Sequence, residues 1–267
     1  MELEFVKLSP LGNTTVFLRG EAVREARAAL LCEAMDYDHL AAEQAGFLVA
    51  PHSEEALLRI EMAGGEFCGN ATLSAAALAA AEGAEPPFFV ECSGAPEPLR
   101  AEACPLGAGQ WLARAEMPQA HELRQLSLDG LSFGGAAICV SLPGIAHLVV
   151  EAADLSAVDY DALLACLMHE AVADAYGVVP FERMGHDRFR IRPYVAVPSA
   201  GSRVFERACG SGSLALALAL GDAVEGTRIA VEQPGGTLFV ETGKRFFLEG
   251  EVLLSCRGMV ELGGFER

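Results

Sequence analysis

EFCGNATLSAAALAA at residues 66–80 and RACGSGSLALALAL at residues 207–220 are one pattern written twice. Each follows a strand-like run, presents Cys-Gly-(Asn/Ser), and continues into a small-residue stretch rich in Ala and Leu that reads as a helix. The two cysteines, Cys68 and Cys209, stand about half the chain apart. An internal repeat at that spacing predicts a duplicated architecture with the two thiols at matching positions, opposed across a cleft.

Working outward, short runs rich in Val, Ile and Phe recur along the chain, among them LEFVKL at 3–8, LLRIEM at 57–62, AAICVSL at 136–142, FRIRPYVAV at 189–197 and RFFLEGEVLL at 245–254. Gly, Pro or Asp bounds them, as expected of strands. Helical periodicity is confined to 21–33, 72–82, 158–176 and 211–221, two segments in each half. Strands outnumbering helices in this way predict an α+β fold of two similar lobes. We place the boundary after residue 116, giving lobes of 1–116 with Cys68 and 117–267 with Cys209, the last strand free to pack back on the first lobe.

Composition narrows the function. With 19 Lys and Arg against 37 Asp and Glu, the formal charge is -18. Such a field repels nucleic acid and anionic membranes but leaves room for a small substrate held by local donors. The start, MELEFVKLSP, lacks a basic segment leading into an apolar one, and no apolar run approaches the ~20 residues of a membrane span. Eight cysteines without a CxxC pair read as reduced thiols of a cytoplasmic protein, with no metal site.

A cysteine at the start of a helix lies among backbone N–H groups that have no partner within the helix, and the helix dipole favours an anion there. That setting is expected to lower a thiol pKa from about 8.5 and supply a thiolate. The N–H groups of Gly69, Asn70, Gly210 and Ser211 could together cradle a substrate carboxylate. One sulfur, as thiolate, would remove the α-proton while the other, as thiol, returns a proton on the opposite face. The result is racemisation without pyridoxal phosphate or any other cofactor.

CGNAT and ACGSGS, with PLGN at 10–13 and QPGG at 233–236, resemble the diaminopimelate epimerase superfamily, in family order over nearly the whole chain. The resemblance implies two pseudo-symmetric lobes, each a mixed β-sheet wrapped round a central helix, with the active site in the cleft between them. It also implies that Asn13 and Gln44 bind substrate and that His147 tunes the cysteines. The family's Glu-Arg pair before the second cysteine is replaced here by a stretch beginning at Ala200 and Gly201, and its Gly-Asn-Pro-His reads Gly144-Ile145-Ala146-His147. Those departures remove the side chains that hold a second carboxylate and tell against diaminopimelate. EFCGNAT and MPQAH at 117–121 are more specific, and with the CGSG and QPGG motifs they are similar to the histidine racemases of opine-type (staphylopine-like) metallophore pathways, which form D-histidine from L-histidine. Related enzymes are often dimers, so the resemblance admits a homodimer.

Supporting residues divide by context. Glu66 and Glu206 precede the two cysteines by two and three positions, where either could poise a thiol or receive an ammonium group. His147 and both glutamates are thus candidate pKa modulators, although a core histidine and solvated carboxylates are the plain alternatives. His121 reads as a marker of the junction between lobes, and Pro234-Gly235-Gly236 as a tight hairpin turn. Arg203 and Arg207 read as solvated. Cys32, Cys92, Cys104, Cys139, Cys166 and Cys256 read as core or inert thiols. Two other readings stand beside histidine racemisation: a diaminopimelate epimerase or racemase of another amino acid, and a non-catalytic amino-acid-binding module.

Overall fold

The computed structural model describes residues 1–128, 136–198, 201–221 and 226–263. The chain forms two compact units, Met1–Ala115 with Gly250–Arg267 and Glu116–Glu249. Each is a sheet-dominated α+β unit, and together the described residues hold far more strand than helix.

In the first unit β1 (Glu2–Pro10) runs antiparallel to β2 (Thr15–Arg19), and the amphipathic helix α1 (Arg24–Met35) carries the chain to β3 (Gln44–Val49), parallel to β2. Next, β4 (Ala56–Met62) turns back antiparallel to β3, and α2 (Gly69–Ala81) crosses to β5 (Phe88–Cys92), parallel to β4. Two antiparallel strands follow, β6 (Leu99–Gly107) and β7 (Gln110–Met117).

The second unit opens with β8 (Glu122–Leu126), antiparallel to β9 (Ala137–Leu142), and then repeats the same order of pairings. β9 is antiparallel to β10 (Ile145–Glu151), and α3 (Tyr160–Glu170) crosses to β11 (Ala175–Arg183), parallel to β10. β12 (Arg188–Ile191) turns back on β11, and α4 (Gly210–Leu220) crosses to β15 (Arg228–Gln233), parallel to β12. β16 (Gly236–Glu241) and the first residues of β17 (Phe246–Glu261) finish antiparallel. The pair β13 (Tyr194–Val197) and β14 (Ser202–Phe205) is inserted before α4. From Gly250 onward β17 belongs to the first unit, where Val252–Glu261 pairs antiparallel with β1.

The two helices in each unit do different work. α1 buries Leu30, Leu31 and Ala34 against Phe5, Val16, Leu18 and Phe47 of the sheet. α3 likewise buries Leu163, Leu164 and Leu167 against Leu148, Val150, Tyr176 and Val178. In α2, by contrast, every residue from Gly69 to Ala79 is buried, and in α4 every residue from Gly210 to Ala217. Small side chains allow strands to approach such a helix from all round, which explains runs of Ala, Gly and Ser with no polar face. Because strand side chains alternate, residues of β10 and β11 not facing α3 turn to the α4 side: Gly212 of α4 packs near Val179, and Gly177 lies against His147.

Several elements differ from the sequence reading. The helix expected over 158–176 ends at Glu170, because the Asp174 and Ala175 N–H groups donate to the Gly144 carbonyl and draw the chain into the sheet. The run FRIRPYVAV splits into β12 and β13 at Pro193, which has no N–H to give a ladder. β8 and β14 lie in short or polar segments without a period-2 signal, and β6, which alternates over Leu99–Ala103, runs on through Pro105. Ala200 lies outside the described residues.

Candidate active site

Cys68 and Cys209 are the N-caps of α2 and α4, and their backbone angles and capping hydrogen bonds agree. Both have extended backbone, φ -130 and ψ 112 for Cys68, φ -125 and ψ 106 for Cys209. Each sulfur accepts the N–H three residues on, from Ala71 at 3.4 Å and from Gly212 at 3.3 Å. Each carbonyl accepts two bonds from the residue four on. Thr72 gives its N–H at 3.0 Å and its hydroxyl at 2.9 Å; Ser213 gives the same groups at 3.0 and 2.8 Å. A side-chain acceptor over the first turn is what these N–H groups require, and sulfur here takes the place of the usual Ser or Asp oxygen. Both cysteines are buried, 8% and 3% exposed.

Around Cys68 the first unit gathers Gln44, Asn70 and Cys92. The Cys68 thiol donates to Gln44 Oε1 at 3.1 Å, and the Thr15 hydroxyl reaches the same oxygen at 3.4 Å. Gln44 is the first residue of β3, so the parallel pairing of β2 with β3 sets its position. Asn13 closes the turn before β2, its N–H donating to the Pro10 carbonyl at 3.0 Å, and its side chain is buried. Gly69 and Asn70 open α2, both buried. Glu66 lies in the turn before Cys68, where its carbonyl accepts the Ser93 hydroxyl at 2.9 Å. At the end of β5, the Cys92 sulfur meets the Cys68 N–H and the Thr72 hydroxyl; burial outweighs those donors and pushes its thiol up to about 11.

Around Cys209 the second unit brings together Ser211, Glu206, His147 and Gln233. The Cys209 N–H donates to Gln233 Oε1 at 2.7 Å, and Gln233 Nε2 donates to Ser213 Oγ at 3.0 Å. Gln233 ends β15, and the two-residue hairpin Pro234–Gly235 beyond it ties back through the Gly235 N–H to the Arg207 carbonyl at 2.7 Å. Ser211 Oγ lies 3.6 Å from Cys209 Sγ and 2.9 Å from His147 Nε2. The thiol pKa is the reverse of what the helix start alone suggests. Burial, then the charge and hydrogen bond of Glu206, push Cys209 well above the usual thiol range, against the donors from Ser211 and Gly212. Desolvation of a charge inside a packed core outweighs the helix terminus. His147 is 0% exposed, and burial holds its pKa down to about 3, so the ring is neutral.

Other residues raised by the sequence lie at the surface of the second unit. His121 is exposed before β8, its N–H on the Ser141 carbonyl, and Arg203 pairs with Asp161 at 3.8 Å. Among the described residues no group of three or more His, Cys, Asp or Glu is arranged to hold a metal ion. Gln233 and Cys92 escaped the sequence reading, the first because QPGG signalled only a hairpin, the second because a cysteine ending a strand looks like any core cysteine. Glycine 177 escaped it as well, although a Cβ there would fall 2.1 Å from His147 Nδ1.

The family model described as histidine racemase CntK N-terminal domain matches residues 2–260. A histidine racemase of Fusobacterium nucleatum subsp. nucleatum is 28% identical over 268 residues, covering 97% of each chain. One from Staphylococcus aureus is 24% identical, covering 91% of this chain and 89% of its own. Among solved structures, a probable proline racemase from Agrobacterium radiobacter with bound carbonate superimposes with a TM-score of 0.74 at 14% identity, over 99% of this chain and 94% of that one; this likeness concerns the fold alone.

Proposed function

The chain belongs to the histidine racemase CntK N-terminal domain family, and from that premise we propose that it interconverts L- and D-histidine with two cysteines and no cofactor. It is an isomerase of the amino-acid racemase class. In our reading Cys68 and Cys209 face one α-carbon from opposite sides, in a cleft between lobes of 1–116 and 117–267 arranged as in diaminopimelate epimerases. The observation that carries it is the duplication at atomic detail: two buried helices, each capped by a cysteine held with the same backbone angles and the same three internal hydrogen bonds.

In one direction a thiolate takes the α-proton: the C–H bond breaks, an S–H bond forms, and the electron pair stays on the substrate as an enediolate-like carbanion. The opposite thiol then gives its proton to carbon and becomes the thiolate. The reverse reaction exchanges the roles. Backbone N–H groups of Gly69, Asn70, Gly210 and Ser211 stabilise the carboxylate as charge builds on it. Asn13 and Gln44 bind the substrate, and His147, Glu206 and Glu66 adjust the thiols. Glu206 draws the Cys209 proton toward itself, which suits a thiol that must be held until the substrate arrives.

Histidine as substrate rests on the family and on Ile145 and Ala146, which occupy positions where diaminopimelate epimerases carry an amide and a proline. Supply of D-histidine to an opine-type metallophore, a cytoplasmic location suited to eight free thiols, and a homodimer complete the proposal. Incubating the reduced protein in D₂O with single L-amino acids tests it: histidine should lose its α-proton signal and yield the D-isomer by chiral chromatography. Exchange with diaminopimelate and none with histidine would overturn the substrate.

A further inference from the structure

His147 is buried on the α4 side of β10, its Nε2 2.9 Å from Ser211 Oγ, and that oxygen is 3.6 Å from Cys209 Sγ. The other ring nitrogen, Nδ1, has no hydrogen-bond partner among the described residues and lies against Gly177. Among the described residues of its own unit, the titratable groups around Cys209 are Glu206, on the segment before α4, and His147; β11 presents Gly177 and Val179, and β15 presents Gln233, none of which ionises.

A neutral imidazole carries one N–H, so this geometry decides its place. With the hydrogen on Nδ1, a buried donor would be orphaned against Gly177, which is costly. Nε2 would then consume the Ser211 hydroxyl hydrogen and turn oxygen lone pairs toward the sulfur. With the hydrogen on Nε2, His147 donates to Ser211 Oγ, and the hydroxyl hydrogen is left to point at Cys209.

We propose that His147 and Ser211 form a one-way donor relay, Nε2–H to Oγ and Oγ–H to Sγ, that stabilises Cys209 as a thiolate in the half-cycle in which it takes the α-proton; this rests on the two-cysteine reading above. No proton leaves the relay. When Sγ accepts the α-proton, the C–H bond breaks, the S–H bond forms, and the relay hydrogens stay on Nε2 and Oγ. Ser211 and His147 are therefore positioning residues. The first unit has Asn70 where the second has Ser211, and there Cys68 donates to an amide oxygen. Cys209 thus meets the Ser211 hydroxyl and the Gly212 N–H with the Glu206 carboxylate beside them, whereas Cys68 meets the Ala71 N–H and the Gln44 amide oxygen, and the two thiols differ in how readily each holds charge.

The test uses the whole protein labelled with ¹⁵N-histidine, the His147 signals being assigned by their loss in His147→Gln. The relay requires a protonated Nε2 and a bare Nδ1 throughout pH 5–8; a protonated Nδ1 overturns it. In kinetics, Ser211→Ala should lower kcat/KM for histidine about tenfold at neutral pH and move the acid limb of its pH profile up by about one unit, and Ser211→Thr should restore both. A Ser211→Ala profile with wild-type limbs would overturn the relay. Racemisation surviving Cys209→Ser would instead sink the two-cysteine reading, and the tautomer result would then judge the relay by itself.

Discussion

The starts of α2 and α4 share a backbone and differ in what surrounds it. At Cys68 the N–H of the cap meets a sulfur, that of Cys92, beside the Thr72 hydroxyl. At Cys209 it meets a glutamine oxygen, whose amide then reaches Ser213. Cys92 and Gln233 end corresponding strands, β5 and β15, and bridge the same two groups, the cap N–H and the hydroxyl four residues on. Hydrogen-bond geometry at the cap was kept while its chemistry diverged, which is how a duplicated frame acquires two thiols of different character.

The largest effects should come from the sulfurs themselves. Replacing either Cys68 or Cys209 by serine is expected to cut racemisation of histidine by about 10²–10⁴-fold, the range for a lost general acid or base; a steady-state polarimetric assay measures it. A variant at one cysteine that kept most activity would break the equivalence of the two sites.

Gly177→Ala comes next. Its Cβ would overlap the His147 ring, and neither β10 nor β11 can move without disturbing their parallel pairing. Overpacking of this kind costs about 1–3 kcal/mol, read as a lower urea midpoint, with kcat/KM falling alongside because the ring holds Ser211. Unchanged stability would mean that His147 can swing aside.

Gln233→Ala sharpens the comparison directly. It leaves the Cys209 N–H and one bond to Ser213 unmet in a buried site, at a cost of about 1–3 kcal/mol. Cys92→Ala removes only a weak sulfur acceptor and should cost less, so the order of the two urea midpoints checks the claim that the polar bridge in the second unit carries more than its sulfur counterpart.

Stability against pH gives a further check on the two units. His147 binds its proton near pH 3 when folded and near 6.5 when unfolded. The unfolded chain therefore takes up a proton that the folded chain refuses, and stability should fall as pH drops from about 6.5 toward 3. Cys92, raised from 9.0 to about 11, acts at the other end: the folded chain keeps a proton that the unfolded chain loses, so stability declines as pH rises through that window. Urea midpoints from pH 4 to 10 check both, and His147→Gln should flatten only the acid side.

The sequence carried much of this because repetition is visible in letters. Two cysteines before small-residue helices located both caps, and the resemblance of EFCGNAT and MPQAH pointed to histidine racemases before any coordinates. Side chains that act across strands were harder to see. Gln233 stands 24 positions after Cys209 and His147 64 before Ser211, and only the strand register brings them together. The expected low thiol pKa at Cys209 failed for a related reason: a helix start is a local signal, whereas burial and the Glu206 charge depend on packing. Strands such as β8 and β14 lacked the alternation that marks β1.

The claim that each sulfur serves one face of the same carbon is tested most directly by exchange in D₂O. Cys68→Ser and Cys209→Ser would each be incubated with L-histidine and, separately, with D-histidine, and α-deuterium incorporation followed by NMR. The two-cysteine account predicts complementary variants, one washing out the α-proton of only the L-isomer and the other of only the D-isomer, with neither forming the opposite enantiomer. A single variant that exchanged both isomers and still racemised them would contradict it.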